Sequence, residues 1–157
     1  MIRFLADSNV GRLARWLRAY GYDAAYAPHV DDSLLIGRAL AEGRVLLTRD
    51  ADLMQRRVVS RGSLRALLLR SDRFDEQLRQ VVEELELPGD RALSRCLECN
   101  GLLKNVEKKD ISKQLAAEPR TLLYYNAFRL CSKCGRTFWP GSHFANLAQR
   151  VDRFVGS

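Results

Sequence analysis

Apolar and polar positions switch between two periods along the first half of the chain. Residues 2–6 form a short, β-prone apolar run that ends at Asp7. Residues 11–20 take a helical period, with Leu13, Leu17 and Tyr20 on one face and Ala14 beside them. Ser8 or Asn9 is the expected N-cap of that helix and Gly21 its stop. Residues 22–27 read as a second strand, ended by Pro28. Asp31, Asp32 and Ser33 open a helix that carries Leu34, Leu35, Ile36 and Leu40 and ends at Gly43. A third strand is expected over residues 44–48, a short helix from Asp50 through Leu53, and a fourth strand over residues 64–69. Residues 74–85 form an amphipathic helix with Leu78, Val81, Val82 and Leu85 apolar. Alternating strands and helices predict an α/β fold with a mostly parallel sheet flanked by helices.

That architecture gives the acidic residues a common place. Open parallel sheets bind ligands beyond the carboxyl ends of their strands. Asp7 ends the first strand, Asp50 and Asp52 follow the third, and Asp31 and Asp32 begin the second helix. These carboxylates are therefore expected to converge on one rim, as candidate catalytic residues. Clustered carboxylates repel one another and need a compensating charge. Hard oxygen ligands suit Mg²⁺ or Mn²⁺, which can activate water and stabilise charge on a scissile phosphate. Arg12, Arg15 and Arg49 can offer forks to phosphate oxygens.

Each residue also has a plainer reading. Asp31, Asp32 or Asp50 can be a helix cap, and Asp52 can simply favour the first turn of a helix. Arg12, Arg15 and Arg18 can form a solvated helix face. Asp7, just after an apolar strand, has no obvious structural role other than a turn.

Composition narrows the class. The chain has 157 residues, 46% hydrophobic and 29% charged, which suits a soluble globular protein and argues against disorder. No apolar run is long enough to span a membrane, and the N-terminus has no signal-peptide pattern. A cytoplasmic location is expected, where four cysteines favour metal over disulfides. The net charge of +7 is uneven: residues 1–88 carry about +1 and residues 89–157 about +6, with all five lysines in the second part. This break predicts two modules, 1–88 and 89–157, with a boundary near Leu87-Pro88-Gly89-Asp90. The basic excess is an expected footprint of a polyanion binder.

The second module carries the sharpest motif. Cys96-Leu97-Glu98-Cys99 and Cys131-Ser132-Lys133-Cys134 are two CxxC pairs separated by 31 residues. Each pair grips one ion from a tight turn, and together they complete the four-thiolate shell that Zn²⁺ prefers. Asn100-Gly101 and Gly135 follow the pairs, where such knuckles need positive φ. A closed four-cysteine shell leaves no open position, so this zinc is expected to be structural. Tyr124, Tyr125, Phe128, Phe138, Trp139, His143 and Phe144 accompany Lys104, Lys108, Lys109, Lys113, Arg129 and Arg136. Rings that stack bases beside cations that hold a backbone suit single-stranded nucleic acid, although rings in a small module also serve as core. His143 is a candidate for catalysis or for packing at the start of a last helix, over residues 144–154.

The residues 7–18, then Gly21-Tyr22-Asp23, Asp31-Asp32 and Leu46-Leu47-Thr48-Arg49-Asp50, resemble the PIN-like domain of the Mut-seven C-terminal RNase family. Residues 95–100 and 131–143 resemble that family's zinc ribbon. The resemblance spans essentially the whole chain. It implies a PIN-like α/β fold, a zinc ribbon and an association with RNA. It matches Asp7 to the first-strand acid of PIN-like nucleases, Asp50 to the acid after the later core strand, and Asp52 to a further acid. Asp31, Asp32 or Glu42 stands in for the helix-borne acid, and Arg12 and Arg15 match the basic helix. Ser8-Asn9-Val10 departs from the more apolar loop of the family. Two functions follow: a Mg²⁺- or Mn²⁺-dependent ribonuclease acting on single-stranded RNA, or a non-catalytic RNA-binding module. In the second, RNA is held by Arg12, Arg15, Arg49, Lys104, Lys108, Lys109 and Arg136 with the aromatic surface. A homodimer or a protein partner is left open.

Overall fold

The computed structural model describes residues 1–88 and 94–141. The expected module boundary at Gly89-Asp90, His143 and the expected last helix lie wholly or partly outside the described residues. The first part is a four-stranded parallel sheet in the order β2-β1-β3-β4. Its strands are β1 (Arg3–Asp7), β2 (Asp23–Ala27), β3 (Val45–Thr48) and β4 (Ala66–Leu68). Helices α1 (Gly11–Ala19), α2 (Asp32–Glu42), α3 (Ala51–Met54), α4 (Arg57–Ser60) and α5 (Phe74–Glu84) connect or follow them.

Side-chain alternation along the strands divides the core in two. Phe4, Ala6 and Leu47 face one side, packing with Leu13 and Leu17 of α1 and Leu78 and Val81 of α5. Leu5 and Leu46 face the other, packing with Leu35, Leu53 and Leu64. Both faces of β1 and β3 are buried, which is why these strands read as continuous apolar runs. The chain leaves β1 through α1 to pair β2 on one side. It then crosses back through α2 to pair β3 on the other side of β1. The strand order therefore reverses between β1 and β3.

The first turn after β1 differs from the expected cap. Ser8–Val10 form a 3-10 turn capped by Asp7, and α1 starts after Val10 with no side-chain cap. Tyr26 holds this turn by donating to the Ser8 carbonyl at 2.9 Å. Its ring lies so close to Gly11 that an added Cβ would sit 2.7 Å from it. A larger residue where α1 begins would have to displace the Tyr26 ring.

The second part is a three-stranded antiparallel sheet, β5 (Leu103–Val106), β6 (Phe128–Cys131) and β7 (Thr137–Phe138). Two short helices, α6 (Lys108–Ile111) and α7 (Pro119–Tyr124), lie in the segment between β5 and β6. Its small core gathers Ile111, Leu115 and Phe128, with Tyr125 and Trp139 against it. No helix among the described residues is long and apolar enough to cross a membrane.

Candidate functional site: an acidic strand edge and a four-cysteine cluster

At the carboxyl ends of β1 and β3, one hydroxyl joins the Asp7 carboxylate to the backbone of Asp50. The β1–β3 register pairs Ala6 with Leu47, so the next residues, Asp7 and Thr48, are neighbours. Thr48 Oγ1 donates to Asp7 Oδ2 at 2.8 Å and accepts from the Asp50 backbone N–H at 3.0 Å. A threonine hydroxyl has one proton to give, so these two bonds fix its direction. Asp7 Oδ1 accepts the Ser8 N–H at 2.6 Å. Thr48 is fully buried and Asp7 nearly so. The junction lies where the strand order reverses, the position at which open parallel sheets form a ligand crevice.

The other acids have local duties. Asp50 caps α3 through Oδ1 and the Asp52 N–H, 2.9 Å apart, and Oδ2 takes no bond among the described residues. Asp31 caps α2, accepting from Ser33 N and Leu34 N at 2.9 and 3.0 Å. Asp32 pairs with Arg56 at 3.3 Å, and Asp52 is exposed in the first turn of α3. No three of Asp7, Asp31, Asp32, Asp50 and Asp52 gather closely enough to share an ion; among the described residues only the cysteines do. Of the carboxylates expected to converge, Asp31 and Asp50 cap helices and Asp32 pairs with Arg56, while Asp7 is linked through Thr48 to the Asp50 backbone. Glu42 is at the end of α2, beside the amino end of β3, where Arg38 and Arg44 hold its carboxyl below the usual range.

The arginines divide as well. Arg12 stands over the Phe74 ring, 3.8 Å from its centroid, and Arg15 pairs with Glu98 at 2.5 Å. Arg49 is exposed next to Asp50. Arg18, expected on a solvated face with them, is instead buried. Burial lowers its pKa. It donates to the carbonyls of Ala24, Leu97 and Glu98 at 2.7, 2.9 and 3.1 Å. Of the lysines, Lys104 and Lys109 are exposed, Lys108 is half-buried, and Lys109 pairs with Glu107 at 3.1 Å.

The four cysteines form a compact cluster. Cys96, Cys99, Cys131 and Cys134 place their sulfurs all within 4.8 Å of one another. The pairs Cys96–Cys134 and Cys99–Cys131 are 3.7 and 3.4 Å apart. A tetrahedral zinc with Zn–S bonds near 2.3 Å needs sulfurs about 3.8 Å apart, so the cluster can hold Zn²⁺. The backbone N–H groups of Lys133 and Cys134 both point at Cys131 Sγ, at 3.4 Å. Asn100 and Gly135 take positive φ after the two pairs. A Cβ on Gly101 would sit 3.0 Å from Cys131 Sγ and 3.2 Å from Cys99 Sγ, so glycine keeps the cradle open. Burial pushes the metal-free Cys96 thiol up to about 12. Burial also acts upward on Cys131, but the Cys134 and Lys133 amides outweigh it and bring that thiol down to about 7.

The cluster is docked on the edge strand of the parallel sheet. Asn100 Oδ1 accepts the Ala24 N–H at 3.1 Å, and its Nδ2 donates to Asp23 Oδ1 at 2.7 Å. Arg44 pairs with the same Asp23 at 2.6 Å. Together with Arg18, Asn100 ties the first CxxC turn to β2.

The order of these parts along the chain has a counterpart among known families. A family model for the Mut7-C RNAse domain matches residues 2–151. The chain belongs to this family. The match takes in both the acidic edge and the cysteine cluster, so both sit within one Mut7-C RNAse domain. No curated protein and no solved structure matches the chain significantly. Membership in the Mut7-C RNAse domain family assigns the chain a nuclease-like, RNA-related role.

Proposed function

We propose that this Mut7-C RNAse domain is a PIN-like ribonuclease that holds Mg²⁺ or Mn²⁺ at Asp7 and Asp50 and hydrolyses phosphodiester bonds of single-stranded RNA. The observation that carries the reading is Thr48, which bonds both Asp7 and the Asp50 backbone at the reversal of strand order. Two carboxylates are few for a dedicated cage. They fit Mg²⁺, which keeps several waters and is commonly held by one or two carboxylates plus substrate phosphate. Such an ion supplies a water of lowered pKa and neutralises charge on the phosphate.

The chain's own groups then have distinct tasks. Asp7, nearly buried and held at both oxygens, gives a fixed point of negative charge. Asp50 offers Oδ2 from a more open position. Asp52, Asp31 and Asp32 are candidates for outer contacts with waters on the same rim. Arg49 beside Asp50 and Arg12 in the first turn of α1 steady the phosphate oxygens. Cys96, Cys99, Cys131 and Cys134 hold a structural zinc. Lys104, Lys108, Lys109 and Arg136 extend the basic surface along which the RNA lies.

A second reading, a module that binds RNA without turnover, draws on the caps. Asp31 and Asp50 each spend an oxygen on a helix start, and Asp32 is paired with Arg56. The two are separated by incubating labelled single-stranded RNA with Mn²⁺ and the wild type, Asp7→Asn or Asp50→Asn, with binding followed in parallel. The ribonuclease reading expects both variants to lose cleavage and keep binding. Binding without cleavage by the wild type supports the module. Cleavage unchanged in both variants contradicts the assigned site.

A further inference from the structure

Arg15, Glu98 and Arg136 form a triad between α1 and the antiparallel sheet. Glu98 Oε1 takes Arg15 Nη1 at 2.5 Å, and Oε2 takes Arg136 Nη1 at 3.4 Å. Both guanidinium side chains are more than half exposed, at 55% and 60%. Ion pairs in that setting add little stability. What the triad does provide is one nitrogen from each of two arginines beside the two oxygens of a single anion, charges that a phosphodiester also satisfies.

Glu98 and Arg136 also line a cleft of about 560 Å³ with Gln114, Leu115, Phe138 and Trp139. The cleft opens broadly to solvent, so a base can reach its aromatic wall. Trp139 is braced from behind by the buried Phe128, with ring centroids 6.3 Å apart. Gln114 accepts from the Thr137 hydroxyl at 2.9 Å, which fixes an amide at the cleft wall. Aromatic walls beside a cationic mouth match a base attached to its phosphate.

The triad also lies along a path from the acidic edge. Helix α1 begins at Gly11, just after Asp7 and the 3-10 turn, and runs back along the sheet. Arg12 and Arg15 lie one after the other on it, about 4.5 Å apart along the axis. Arg136 follows across Glu98, and the cleft follows Arg136.

Resting on the reading that the domain grips single-stranded RNA, we propose that the cleft is a nucleobase subsite and that Glu98 marks the place of a backbone phosphate. The phosphate displaces the Glu98 carboxylate from between Arg15 and Arg136, and the neighbouring base enters against Phe138 and Trp139. Glu98 therefore keeps the two guanidinium groups together in the free protein and competes with RNA for them.

The test measures binding of zinc-loaded protein to a fluorescein-labelled 12-nucleotide oligouridine by anisotropy. A matching oligonucleotide with abasic ribose throughout serves as the second ligand. Arg136→Gln is expected to weaken both ligands. Glu98→Gln is expected to tighten both about two- to fivefold, because a competing charge is gone. Phe138→Leu is expected to weaken oligouridine about fivefold or more and leave the abasic ligand unchanged. If Phe138→Leu fails to fold, the two charge variants still read out the phosphate position, and tighter wild-type binding of oligouridine than of the abasic ligand reads out the base; equal wild-type binding of the two overturns the base subsite. Wild-type binding with Glu98→Gln no tighter and Arg136→Gln undiminished overturns the subsite alone. No binding of oligouridine by the wild type overturns the RNA reading, and the subsite with it.

Discussion

The Thr48 hydroxyl stands between Asp7 Oδ2 at 2.8 Å and the Asp50 amide at 3.0 Å, so one side chain fastens the ends of two neighbouring strands. Thr48→Val keeps the shape and removes both bonds. It leaves a buried carboxylate oxygen and a backbone N–H without their partner, at a cost of about 1–3 kcal/mol. Chemical denaturation should show this loss, and RNA cleavage should fall with it. Thr48→Ser keeps the hydroxyl and should restore most of both. Equal cleavage by wild type and Thr48→Val would remove the positioning role.

Zinc removal should be felt on both sheets. Asn100 and Arg18 join the first CxxC turn to Ala24 in β2, so the cysteine cluster and the edge strand share hydrogen bonds. Cys96→Ser or Cys134→Ser should abolish zinc binding, unfold the cysteine-bearing part and lower the melting temperature of the remainder. Elemental analysis showing full zinc in either variant contradicts this. Zinc affinity should also fall as the pH falls. The metal-free Cys96 thiol, pushed up to about 12, must release its proton to bind, so acid competes with the metal.

Asp23 predicts an acid-sensitive contact. Burial alone would raise its pKa. Hydrogen bonds from Arg44 and Asn100, with the charges of Arg44 and Arg95, outweigh that and hold it below the ordinary 3.8. A carboxylate lowered in the folded state contributes stability above its unfolded pKa and loses it as the pH drops through the folded value. The wild type should therefore lose stability from about pH 4 downward. Asp23→Asn should start less stable at neutral pH and lose less over that acid range. Urea denaturation at pH 7 and below pH 4 checks it; parallel pH profiles for the two proteins would contradict it.

The parts legible in the sequence were those set by local pattern. Leu5 and Leu46 lie in unbroken apolar runs because both faces of a parallel strand are covered. The four cysteines were legible because ligand spacing is local to each turn. Thr48 was not: a threonine closing a strand reads as β-propensity, and its role depends on Asp7, 41 positions away. Arg18 shares its helical spacing with Arg12 and Arg15, yet carbonyls about 80 positions on bury it. Asn100 was visible as a positive-φ residue after a CxxC pair, whereas its side-chain docking to Asp23 and Ala24 is a tertiary event. The carboxylates at the starts of α2 and α3 showed the limit of placement by topology. An acid at the right edge is still free to cap its own helix.

In the proposed ribonuclease, Asp7 and Asp50 act together as one site for a divalent ion. Electron paramagnetic resonance titration of Mn²⁺ into zinc-loaded protein tests it directly. One bound Mn²⁺ in the wild type, lost in Asp7→Asn and equally in Asp50→Asn while zinc content stays constant, is the predicted result. Mn²⁺ binding that survives both substitutions, or none in the wild type, would contradict it.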